Sequence, residues 1–72
     1  MIGISNEEFK YYIESRNNTL SIEEYIYITS FINIISYVRY NHDLNIFEIS
    51  TYDNNTYKVF IKENDKIKKR VN

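Results

Sequence analysis

The single histidine, His42, stands beside Asp43, and any catalytic arrangement in this chain would have to be built on that pair. Histidine is the side chain whose ordinary pKa lies near neutrality, so His42 would be the general base. Asp43 would orient it, and one of several serines would attack, in the manner of a Ser-His-Asp set. Nothing marks one serine as that nucleophile. Gly3 is the only glycine, so there is neither a G-x-S-x-G elbow nor a glycine-rich loop to cradle a phosphate. There is no cysteine, and no His/Asp/Glu spacing resembles a metal set. The adjacent carboxylates Glu7/Glu8 and Glu23/Glu24 follow Ser5 and Ser21, where helix capping accounts for them. The residues therefore point to a protein that is not an enzyme and uses no metal or cofactor. His42 reads as a helix-end histidine.

Charge offers a second kind of chemistry. The net charge of −1 conceals an uneven distribution. Carboxylates predominate up to Asp53, whereas Lys58, Lys62, Lys66, Lys68, Lys69 and Arg70 outnumber Glu63 and Asp65 in the last stretch. Such a basic hairpin and tail would grip phosphates, with Tyr57 or Phe60 as a stacking surface. A dedicated DNA binder is usually basic overall, so nucleic acid is the alternative reading.

The elements that position these residues follow from periodicity and capping. Ser5 with Glu8, and Ser21 with Glu24, are two capping boxes, each flanked by a hydrophobic staple (Ile4/Phe9 and Leu20/Tyr25). The first predicts a helix over about 5–16. The second predicts a long central helix over about 21–42, because Phe31, Ile34, Ile35 and Val38 continue a helical period. A buried strand pair is the alternative for that run, since β-branched residues are modest helix formers. Asn17-Asn18-Thr19 breaks the two helices, because Asn tolerates the left-handed backbone. From Leu44 the period becomes two. Strands are expected over about 44–52 and 56–62 around an Asp53-Asn54-Asn55 turn, with a third edge strand or frayed tail at 67–71. The expected fold is one α+β domain, with two N-terminal helices packed on a C-terminal antiparallel meander of two to three strands.

A chain of 72 residues without disulfides is marginally stable unless packing or association helps. Eight Tyr and four Phe supply large apolar area for either use. On the expected central helix, Ile22, Ile26, Tyr37 and Tyr40 fall outside the main apolar arc. They are the candidate protein interface. Glu23, Glu24 and Arg39 with the interspersed polar residues argue against a membrane span. No basic-then-apolar leader opens the chain, so the default compartment is cytoplasmic. Ile, Asn, Tyr and Lys make up about half the residues while Ala, Pro, Gln and Trp are absent. AT-rich codons produce that bias, as in a low-GC bacterium, its phage or a large DNA virus. The sequence thus reads as a homodimeric protein-binding module, a viral or mobile-element inhibitor or regulator of an unidentified host protein.

Overall fold

The computed structural model describes residues 3–62. Helix α1 (Asn6–Glu14) opens on the first capping box. Ser5 Oγ accepts from the Glu8 amide at 3.1 Å, and Glu8 Oε1 accepts from the Ser5 amide at 2.8 Å. Asn17 and Asn18, at φ 53° and 57°, turn the chain into the two-residue strand β1 (Thr19–Leu20). The second box, Ser21 with Glu24, has the same reciprocal bonds at 3.1 and 2.8 Å and opens helix α2 (Ile22–Thr29).

Here the structure departs from the helix expected over 21–42. Thr29 Oγ1 donates back to the Tyr25 carbonyl at 2.8 Å, and Ser30 Oγ donates to the Tyr27 carbonyl. Hydroxyls that compete for helical carbonyls favour a helix end. A turn through Phe31 and Ile34 follows, closed by the Ile34 amide on the Phe31 carbonyl at 3.0 Å. Strand β2 (Ile35–Asn41) then begins. Ile35, Tyr37, Val38 and Tyr40 are β-branched or aromatic and suit a pleated surface. Their spacing also fits a helical period, and a short apolar run satisfies both patterns. Pairing decides the matter: β2 runs antiparallel to β3 (Ile46–Thr51) from Ile35↔Thr51 to Asn41↔Ile46, with a bulge between Ile35 and Tyr37.

The hairpin expected at 44–52 and 56–62 is present as β3 and β4 (Thr56–Ile61), with Asn54 at φ 71° in its turn. Asn45, at φ 58°, serves the β2–β3 turn in the same way. The sheet order is β1-β4-β3-β2, and β1 lies parallel to β4. The expected architecture is therefore corrected in two respects. The helices are interleaved with strands, because β1 separates α1 from α2. The sheet has four strands of mixed direction and is no two- to three-strand meander. The class remains α+β. The strand expected at 67–71 lies outside the described residues.

The core lies between the helices and one sheet face. Phe9 and Ile13 of α1, Leu20 of β1 and Ile28 of α2 meet Ile49 of β3 and Val59 of β4, all fully buried. Phe9 packs edge-on to Tyr57, with ring centroids 5.5 Å apart. Ile4 and Tyr25, the outer members of the two staples, pack against the same cluster. By strand alternation Val38, Tyr40, Phe47, Ile49, Tyr57 and Val59 share the helix-covered face, whereas Tyr37, Arg39, Glu48, Lys58 and Phe60 share the other.

Candidate interaction surfaces

The four candidate interface residues are exposed: Ile22 43%, Ile26 61%, Tyr37 59% and Tyr40 39%. They do not form one strip of one helix, because Tyr37 and Tyr40 belong to β2. Ile22 and Ile26 are i,i+4 neighbours on α2, and Ile22 stands about 60° round the axis from Tyr25. The Tyr25 ring lies 4.8 Å from that of Phe47, which lies 4.9 Å from that of Tyr40. His42 continues the series, edge-on to Tyr40 at 4.9 Å. A line of rings thus runs from α2 across β3 to the rim of β2. Val38 shares the sheet face of Tyr40, Ile22 and Ile26 belong to the helix that carries Tyr25, and all four of Ile22, Ile26, Val38 and Tyr40 are exposed. Val38 is the member that helical reasoning missed. Alternation with Tyr40 would have found it.

Along this flank β2 has a neighbour on one side only, β3. Among the described residues no strand pairs with its outer edge. The backbone groups there are available to another chain.

Tyr37 lies on the opposite face with Arg39. Arg39 Nη2 is 2.6 Å from Glu48 Oε1 across the β2–β3 pair. Glu48 also faces Lys58 across the β3–β4 pair, so one row reads Arg39, Glu48, Lys58. The Arg39 guanidinium holds the Glu48 carboxyl below the usual carboxylate range, and the pairing pushes Arg39 up. Phe60 and Lys62 follow Lys58 with the same parity. Of the six candidate nucleic-acid cations, Lys58 and Lys62 are exposed on or just after β4. Lys66, Lys68, Lys69 and Arg70 lie outside the described residues.

A second ion pair joins the helical layer. Arg16 Nε is 3.0 Å from Glu24 Oε2, and its guanidinium carbon lies 3.7 Å from the Tyr12 ring centre. The Ser21 amide, followed by Arg16, draws the Glu24 carboxyl below its ordinary value. Burial pushes the Tyr25 hydroxyl up.

His42 stands just past β2 and is exposed, so it has no helix end beside it as the sequence suggested. Among the described residues no group of three or more His, Cys, Asp and Glu side chains is placed to hold a metal ion. No described helix is long and apolar enough to cross a membrane. No protein-family model, curated protein or solved structure matches the chain, so function rests on geometry alone.

Proposed function

We propose that the protein is a small binding module, acting in the cytoplasm without chemistry of its own, and that it pairs with a second copy through the outer edge of β2. The observation that carries this reading is the coincidence of an open strand edge with an exposed apolar flank. Val38 and Tyr40 are exposed on the one long edge that has no neighbour among the described residues, and Ile22 and Ile26 are exposed on the helix whose Tyr25 ring is linked through Phe47 to Tyr40. An isolated apolar side chain on a surface is ordinary, whereas a contiguous patch marks a contact.

The chemistry of β2 suits its own copy. A two-fold axis perpendicular to the sheet through Val38 pairs the strands antiparallel and keeps each face continuous. Tyr37 of one copy then opposes Arg39 of the other, twice, and the guanidinium meets a ring. An axis through Arg39 would place the two guanidinium groups together, which like-charge repulsion disfavours. Because the contact is isologous, each favourable pair is made twice.

Sedimentation velocity with the full chain tests the reading. A dimer is expected at high micromolar concentration. Val38→Lys, which puts a charge on the strand edge, should return it to a monomer with an unchanged circular dichroism spectrum. A clean monomer of the unaltered chain at that concentration removes the proposal.

A further inference from the structure

The two sides of the sheet differ in charge. The helical layer carries Glu7, Glu8, Glu14, Glu23 and Glu24 against Lys10 and Arg16. Of the strand residues and Lys62 on the opposite side, Arg39, Lys58 and Lys62 stand against Glu48, with Asp43 and Asp53 in the turns at the sheet's ends. Glu48 adds little negative field there. Its side chain is 12% exposed, and Arg39 occupies its carboxylate at 2.6 Å. Among the described residues no carboxylate lies within ion-pair distance of Lys58. A slightly acidic chain thus presents one basic face, which its net charge conceals.

Two rings stand on that face, Tyr37 and Phe60, the latter 50% exposed. Tyr37 is in the row of Ser50 and Thr56, and Phe60 lies four residues farther along β4. Strand spacing and rise place them about 16 Å apart on a diagonal. The row of Arg39 and Lys58 crosses between them, and Lys62 follows Phe60. Tyr37, Arg39, Lys58, Phe60 and Lys62 are exposed on this side, whereas Ile46, Glu48 and Ser50 of the central strand β3 are largely buried between them. Beyond Lys62 the sequence continues with Lys66, Lys68, Lys69 and Arg70 against Glu63 and Asp65.

The geometry points to a binding site for single-stranded nucleic acid on this face, with Tyr37 and Phe60 as stacking platforms and Arg39, Lys58 and Lys62 as phosphate partners. Exposed rings interleaved with cations are what an unpaired strand needs. Every base has a π-face to stack, and every phosphate a charge to neutralise. Bases inside a duplex are stacked on one another and cannot lie on a sheet. This site is on the face away from α1 and α2; the edge contact proposed above shares Tyr37 and Arg39 with it, at the seam where that contact would join the faces of two copies.

Fluorescence anisotropy of the full chain tests it, using labelled oligouridine and oligothymidine of about twelve nucleotides and a hairpin duplex as competitor. Both single strands should bind at low salt, and affinity should fall as salt rises, because bound phosphates release counterions. A preference between the two, which differ in the 2′-hydroxyl and in the thymine methyl, supports the site either way. Tyr37→Ala and Phe60→Ala should each weaken binding between about five-fold and about a hundred-fold, as loss of one stacked base predicts. Both side chains are exposed, so an unchanged circular dichroism spectrum is expected.

Three results overturn the proposal. The first is no complex at low salt. The second is binding that survives loss of both rings but disappears in Lys68→Glu/Lys69→Glu, which assigns it to sequence outside the site. The third is a hairpin duplex that competes as well as the single strands, or polyglutamate that binds equally and is insensitive to ring removal, which makes the face a generic polyanion surface.

Discussion

Glu48 faces Arg39 on one side and Lys58 on the other, across three adjacent strands, and only Arg39 reaches it, at 2.6 Å. The carboxylate sits in the centre of the sheet and the guanidinium at its rim. The pair therefore does two things. It ties β2 to β3 on the exposed face, and among the described residues it leaves Lys58 with no carboxylate at ion-pair distance.

Loss of Arg39 should release the Glu48 carboxyl. In the folded chain that carboxyl titrates below its ordinary value because Arg39 bonds its ionised form. A depressed carboxylate contributes stability that is present above the unfolded pKa and lost as pH falls through the folded one. In Arg39→Gln the Glu48 side-chain carbon should titrate nearer about 4.3, the value of a free glutamate. The fall in stability between about pH 5 and pH 3 should become shallower. Carbon-detected NMR titration checks this, and an unmoved Glu48 would show that Arg39 is not its cause.

The two capping serines should be separately measurable. Ser5→Ala and Ser21→Ala each strand an amide at a helix start, and each should cost about 1 kcal/mol. Ser21→Ala should cost the more, because its box is partly buried and Glu24 also holds Arg16. Urea denaturation gives both values. Equal or negligible losses would mean that the flanking strand, and not the cap, sets where α2 begins.

Core and flank should respond differently to the same truncation. Ile49→Ala removes a fully buried side chain at the centre of the cluster and should cost about 2–5 kcal/mol, enough to unfold much of so small a domain. Ile26→Ala should leave the stability of the monomer within about 0.5 kcal/mol and weaken self-association. Denaturation read beside sedimentation separates the two effects. A large stability loss in monomeric Ile26→Ala would place that residue in the core.

Asn54 should tolerate glycine and reject a β-branched residue. At φ 71° it occupies the left-handed region, which costs most L-residues about 1–2 kcal/mol. Asn54→Gly should be neutral or slightly stabilising, and Asn54→Val should lower the thermal midpoint. Identical midpoints for the two variants would mean that the turn relaxes.

The parts of the fold legible in the sequence are those specified locally. Ser5 with Glu8 and Ser21 with Glu24 announce two helix starts through contacts three residues apart, and both boxes are formed. The Asn-rich turns announce positive φ, and Asn17, Asn18 and Asn54 adopt it. Tyr57, Val59 and Lys58, Phe60 announce opposite faces by simple alternation. The illegible parts depend on distant partners. β1 is two residues long, and only its pairing with Phe60 and Ile61, some forty positions away in the chain, makes it a strand. β2 carries an ambiguous pattern that its alignment with β3 resolves. The punctuation that divides 21–42 is present in Thr29, Ser30 and Asn33, but each is also tolerated within a helix. That error had a consequence for the surface. A helix would have gathered Ile22, Ile26, Tyr37 and Tyr40 on one side, whereas the strand sends Tyr37 to the face that also bears Arg39, Lys58 and Phe60.

The shortness of β1 limits how far copies of this chain can join. Two residues, with the chain turning away at once into α2, present almost no rail for an incoming strand. Among the described residues the seven of β2 are the one substantial rail, at the other side. A sheet with one usable margin joins once, head against head, and is then spent. If two copies pair as proposed, such a molecule would reach a closed pair and stop, where a chain sticky on both margins would grow into a fibre.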